Sequence, residues 1–150
     1  MAITDLFDKV RKAVIRTTAG AYMTAQIAVA PVVASRPRVG RWGVYYNKTY
    51  ANWMKAAEVT GDDLRRFDGP CAVIIEQIVE KPKTSKLAYP RGDIDNFAKG
   101  PLDIITKSEK LWADDVQIVS LTAFKRFANP GETPRSLIHV IPLEGSNEKA

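Results

Sequence analysis

Cys71-Ala72-Val73-Ile74-Ile75-Glu76-Gln77-Ile78-Val79-Glu80 is the stretch on which the fold turns. Ala72-Val73-Ile74-Ile75 is apolar and largely β-branched, and Gln77-Ile78-Val79 continues it, which predicts a strand over 71–80. Downstream, 81–90 is polar and punctuated by proline, hence a loop. Residues 94–107 then set Ile94, Phe97, Ala98, Leu102 and Ile105 on one helical face. Strands are expected over 116–124 and 136–143, parted by an Asn129-Pro130-Gly131 turn.

Upstream the signals are shorter. Thr4 as N-cap, early Asp5 and Asp8, and Leu6, Val10, Ala13 and Val14 at helical spacing predict a helix over 4–16. Such a helix either covers part of the domain or pairs protomers. Gln26-Ile27-Ala28-Val29-Ala30 is β-like and stops at Pro31. The Pro and Gly content of 35–43 reads as a loop, Val44-Tyr45-Tyr46 as a short strand, and 48–59 as a helix carrying Tyr50, Trp53, Met54 and Ala57. The order of elements implies one α+β domain over 21–144, a mixed sheet packed by helices. A helical extension over 1–20 precedes it, and a flexible tail over 145–150 follows.

Composition narrows the chemistry. The chain has 150 residues, 45% of them hydrophobic and 26% charged, as in an ordinary globular domain. It shows no membrane-length apolar run and no secretory signal, so a cytoplasmic protein without membrane partners is expected. One cysteine, Cys71, and one histidine, His139, exclude a cysteine zinc site, a His-rich metal site and Cys/His nucleophilic catalysis. The net charge of +5 suits a polyanionic partner. Arg36, Arg38 and Arg41 form one basic cluster, and Lys81, Lys83, Lys86 and Arg91 another, both in loop-like sequence suited to phosphate contacts.

The acidic residues gather around Gly92-Asp93-Ile94-Asp95-Asn96-Phe97-Ala98-Lys99 and Leu111-Trp112-Ala113-Asp114-Asp115-Val116-Gln117-Ile118. In extended backbone Asp93 and Asp95 point the same way. Lys99 and then Asp103 follow Asp95 at one-turn intervals along the helix. Carboxylates without histidine suit a hard ion, Mg²⁺ with Mn²⁺ able to substitute. Taken singly, each residue is equally an N-cap, an i,i+4 ion pair or a solvated strand start. In a strand Asp114 and Asp115 face opposite ways, and Asp114 shares the more apolar side with Val116 and Ile118, so Asp115 is the expected site residue. Asp93-x-Asp95 is no calcium loop, because Phe97 and Ala98 occupy positions that need a ligand and a glycine. Arg91-Gly92-Asp93 spells an adhesion tripeptide of little meaning without a secretion signal.

Asp93, Asp95, Asn96, Lys99 and Asp103, followed by Trp112, Asp114, Asp115 and Gln117, reproduce a motif that resembles the RusA family of Holliday junction resolvases. The Arg36-Pro37-Arg38 stretch with aromatic residues after it is also similar, and the likeness spans roughly residues 28–143. It implies a homodimeric α+β, magnesium-dependent endonuclease acting on branched DNA, four-way junctions above all. Asp93, Asp95 and Asp115 would then bind metal, and Lys99 would be the essential lysine. Two departures stand out. Gly92 replaces a proline common in the family, and Gly100-Pro101 is expected to kink or restart the helix and disturb Asp103. A nuclease for flaps, forks or other branched intermediates, and a non-catalytic nucleic-acid binding module, are the competing expectations.

Overall fold

The computed structural model describes residues 1–16, 22–45, 47–143 and 145–148. In chain order it contains α1 (Ile3–Arg16), β1 (Met23–Ile27), β2 (Arg38–Gly40), β3 (Gly43–Tyr45), α2 (Lys48–Ala56), β4 (Val59–Thr60), β5 (Phe67–Asp68) and β6 (Cys71–Val79). Then come α3 (Ile94–Ser108), a 3-10 turn (Asp115–Gln117), β7 (Ile118–Phe127), β8 (Arg135–Pro142) and β9 (Asn147–Glu148). A five-stranded sheet has the order β4-β1-β8-β6-β7. β6 and β7 are parallel and joined through α3, while β8 runs antiparallel to β6 and β1. The sheet is mixed and the class is α+β, as the sequence implies.

β6 is the most buried strand because both faces of the sheet are covered. Val73 and Ile75 face a main core with Ile27, Trp53, Ile105, Trp112, Ile138 and Val140. Ile74 faces the opposite way, into a smaller cluster with Phe7, Phe124 and Ile141. An uninterrupted apolar run, rather than alternation, is what a strand buried on both sides requires. α1 covers this second face through Phe7, whose ring lies 4.2 Å from that of Phe124, centroid to centroid.

Several expected boundaries move. The first strand starts at Met23 and ends at Ile27, because Met23, Ala25 and Ile27 alternate into the core while residues 23–27 pair with β8. Helix α2 stops at Ala56, and Val59 instead joins the sheet opposite Ile27. The expected loop over 35–43 contains one strand of a hairpin: Arg38, Val39 and Gly40 pair with Tyr45, Val44 and Gly43. Gly43 has φ +117, which lets the chain reverse after Arg41-Trp42. Tyr46, expected to end that strand, and residues 17–20 of the expected extension lie outside the described residues. Asn147 and Glu148, expected in a tail, pair with β5.

Helix α3 runs through Gly100-Pro101 as one helix, so it does not restart there. Pro101 has no N–H for the Phe97 carbonyl one turn back. The side chain of Gln77, 1% exposed, takes its place and donates to Phe97 O at 2.5 Å. Ser136 in turn donates to Gln77 Oε1. Gly100 is needed for a different reason, since a Cβ there would stand 2.9 Å from the Trp53 ring. Among the described residues no helix is long and apolar enough to cross a membrane.

Candidate active site

Gly92 sets the entry to α3. Its φ of +101 lies outside the range of proline, so this chain reaches the helix by a backbone path that the commoner residue could not follow. Lys125 on β7 holds the path in place, donating from Nζ to Pro90 O at 2.9 Å and to Gly92 O at 2.6 Å. Asp93 then occupies the N-cap position in extended backbone, but its carboxylate makes no capping hydrogen bond. An acid at a helix start that does not cap is free for another partner.

Asp95 sits inside the first turn of α3, so its relation to Asp93 is helical and the two-residue alternation expected for a strand does not apply. Asp95, Lys99 and Asp103 recur at four-residue intervals on one side of α3. Asp95 and Lys99 are exposed, and Asp103 is half-buried. From Asp95 to Asp103 the backbone advances about 12 Å, with Lys99 midway.

The second acidic segment is built by its neighbours. Trp112 is fully buried and donates from Nε1 to Thr106 Oγ1 at 2.8 Å, fixing the segment to α3. Asp114 caps the 3-10 turn, its Oδ1 accepting from Val116 N at 2.9 Å. Gln117 accepts at Oε1 from Ala113 N at 2.9 Å and donates from Nε2 to Gly69 O at 3.0 Å and Phe67 O at 3.2 Å. β7 therefore starts at Ile118, two residues later than expected, and strand alternation does not order Asp114 and Asp115. The capping bond separates them instead: Asp114 serves the backbone, and Asp115 does not cap.

Partial burial, a hydrogen bond with Asp114 and the charges of Asp114 and Asp103 hold the Asp115 carboxyl above its usual range, with Lys99 pulling the other way. Asp103 thus belongs to the electrostatic surroundings of Asp115; its one-turn spacing from Lys99 and its place in the acidic motif signalled this in the sequence. The structure brings together Lys99, Asp103, Asp114 and Asp115. Among the described residues it does not bring three acidic, His or Cys side chains close enough to hold an ion together. Asp93 and Asp95 lie toward the other end of the α3 stripe.

All seven basic residues singled out in the sequence are exposed: Arg36, Arg38 and Arg41 on and beside the β2–β3 hairpin, and Lys81, Lys83, Lys86 and Arg91 on the loop into α3. Lys86 and Arg91 line a cavity of about 560 Å³ floored by Val79, Leu87 and Phe127. The Lys81 amine stands over the Phe127 ring, 5.6 Å from its centroid.

The family model described as endodeoxyribonuclease RusA matches residues 28–140. The chain belongs to the RusA family. That match takes in the hairpin, the basic loop, α3 and the Trp112–Gln117 segment, and it leaves α1 outside. No curated protein matches the chain. Within the RusA frame, the acidic stripe on α3, the turn before β7 and the two basic loops form the candidate site of a DNA endonuclease.

Proposed function

We propose that the chain is a structure-selective endodeoxyribonuclease that resolves four-way DNA junctions by paired, symmetric nicks during recombination and repair in the cytoplasm. The observation that carries this reading is the RusA-family match across a segment whose exposed Asp93, Asp95, Lys99 and Asp115 border a chain rich in exposed cations. Two nicks related by symmetry call for two sites related by a two-fold axis, and a homodimer supplies them.

The donor chemistry fits Mg²⁺, with Mn²⁺ able to substitute: oxygen ligands only, exposed, and with the Asp93 carboxylate unclaimed by its helix. Asp115 is held above its usual range first by partial burial and then by Asp114 and Asp103, and a bound cation would offset the repulsion from those two carboxylates. Asp93, Asp95 and Asp115 would hold the ion, and since the described structure does not bring them within reach of one point, they would have to converge on it when metal and DNA bind. Once bound, it would lower the pKa of an attacking water and neutralise charge developing on the phosphate. Lys99 would grip the scissile phosphate through charge-assisted hydrogen bonds, and the arginine and lysine loops would orient the backbone on either side. In-line hydrolysis leaves a 5′-phosphate and a 3′-hydroxyl.

Purified protein incubated with synthetic four-way, three-way, flap and duplex DNA, with and without Mg²⁺, tests the reading. Paired nicks in the four-way junction that require Mg²⁺ are expected. Preferential cutting of flaps or forks would move the substrate to other branched intermediates, and binding without cutting of any substrate would leave a non-catalytic module.

A further inference from the structure

The β2–β3 hairpin carries apolar side chains that the fold does not cover. Trp42 at its tip is 93% exposed, Val39 is 85% exposed and Val44 is 69% exposed. Val39 and Val44 are direct cross-strand partners, so their side chains share one face, and alternation puts Arg38 on the other. The Arg41 guanidinium stands over the Trp42 ring, 5.5 Å from its centroid. Three strongly exposed apolar side chains on one short ribbon are more than scattered singles and point to an occupant.

Charge selects the occupant. Between Asp8 and Glu58 the sequence contains no acidic residue, while Arg36, Arg38 and Arg41 lie on or beside the ribbon. A surface of this kind complements a polyanion that also offers apolar, stackable faces. An intact duplex buries its base faces and presents phosphates and groove edges. A branch point interrupts stacking and exposes the terminal base pairs of the arms. A two-stranded ribbon is slender enough to fit a duplex major groove, but only a branch offers Trp42 an open base-pair face.

We propose that the β2–β3 hairpin is a branch-sensing wedge: Trp42 stacks on an exposed terminal base pair at the DNA junction, Val39 and Val44 follow it into the gap, and Arg38 and Arg41 hold the flanking phosphates. This inference rests on the reading that the protein acts on branched DNA, and it adds the element that distinguishes a branch from a duplex. Aromatic stacking on bases tolerates any sequence, because every base has a π face, so the wedge reads shape alone.

The protein carries its own probe. Of its three tryptophans, Trp53 is 4% exposed and Trp112 is fully buried, which leaves Trp42 as the reporter that DNA can reach. A four-way junction and a duplex of the same sequence are titrated into full-length protein in EDTA, following tryptophan emission and the anisotropy of labelled DNA. Stacking predicts quenching by the junction and far less by the duplex. Trp42→Leu should weaken junction binding about tenfold, leave duplex binding unchanged and abolish the quenching, with Trp42→Phe recovering most of the affinity. The wedge is overturned if Trp42→Leu binds junctions as the wild type does or loses junction and duplex equally. It is overturned too if the variant sediments as a smaller species, since the apolar edge would then belong to a second copy of the chain. A wild-type protein that cuts junctions while Trp42→Leu behaves identically defeats only the wedge; one that neither binds nor cuts them defeats the junction-resolving function as well.

Discussion

Glu76 and Asp115 are both carboxylates held near other charged groups, and their surroundings push them in opposite directions. Glu76, on β6 beneath α1, is 4% exposed. Arg11 Nη1 donates to it at 2.7 Å, and His139 Nε2 lies 2.6 Å from its other oxygen. His139 Nδ1 in turn meets Thr24 Oγ1 at 3.1 Å. Burial raises the Glu76 pKa, but the bonds and charges of His139 and Arg11 outweigh it and hold the carboxyl below its usual range. Asp115 is exposed, and the partial burial of its carboxyl, with the hydrogen bond and charge of Asp114 and the charge of Asp103, holds it above its usual range. The fold completes the environment of Glu76 and leaves that of Asp115 short of positive charge. The first arrangement is structural, and the second is open to the cation and phosphate proposed above.

The largest effects expected from that contrast fall on cleavage. Asp93→Asn, Asp95→Asn and Asp115→Asn should each reduce junction cutting by at least about 100-fold, more than loss of a supporting residue around a metal costs. Junction affinity should hold or rise, because a charge repelling the phosphates is gone. Gel assays of binding and cutting on the same preparations measure both. A variant cutting at the wild-type rate would remove its residue from the site.

At Glu76 the effect should appear in stability alone. Arg11→Ala removes a charged hydrogen-bond partner from a buried carboxylate and should lower unfolding free energy by about 2 kcal/mol. Its cleavage rate at temperatures well below the melt should be unchanged. The sign of the pH dependence follows from the lowered carboxyls. Glu76 and Glu132, the latter held at about 2 chiefly by its paired hydrogen bonds with Arg126, are ionised in the folded state at pH values where the unfolded chain takes up protons. Both contributions are present above the usual carboxylate range and are lost as pH falls below it, that of Glu132 as pH falls through about 2. Thermal unfolding followed across that window should show a steep fall in the wild type and a shallower one in Glu132→Gln.

The contrast also marks how far the sequence could be read. Cys71–Val79 and α3 were legible because burial on two faces and a long helical period leave strong patterns. The hairpin was legible only by half: Val44-Tyr45 was expected as a strand, but β2 has three residues, and Pro37, Gly40 and Gly43 signal a loop as strongly as a turn. The continuity of α3 past Pro101 was illegible for another reason, since its compensation is Gln77 on a strand twenty residues upstream of Phe97. His139 stood alone in sequence, and only the sheet register brings it opposite Ile74 and within reach of Glu76. The acidic motif itself was readable, but the division of labour inside it depends on hydrogen bonds that spacing does not reveal.

A smaller effect should come from the exposed cations. If Arg36, Arg38 and Arg41 touch phosphates, each Arg→Ala change should lessen the log–log salt slope of duplex binding by about 0.9 for every phosphate left unneutralised. Cutting at saturating protein should change little if their part is to hold the DNA backbone, since saturation makes up for lost affinity. Unchanged slopes in all three would make them solvated surface charges.

The smallest expected change in cleavage is at Asp114, and it tests the contrast within a single dipeptide. Asp114 resembles Glu76 in having a structural partner, since its Oδ1 accepts from Val116 N. Asparagine keeps a side-chain oxygen in that position, so Asp114→Asn should retain the cap, the 3-10 turn and measurable cutting. Asp114→Ala removes the acceptor and should cost about 1 kcal/mol of stability, the usual loss at a helical N-cap. Asp115→Asn disturbs no capping bond, so its melt should be close to that of the wild type while its activity collapses and its Mn²⁺ titration weakens. The two aspartates thus separate on crossed axes, stability for Asp114→Ala and chemistry for Asp115→Asn. The opposite pairing, with Asp114→Asn inactive and Asp115→Asn cutting, would mean that the capping carboxylate turns toward the metal when DNA binds and that the turn before β7 rearranges to allow it.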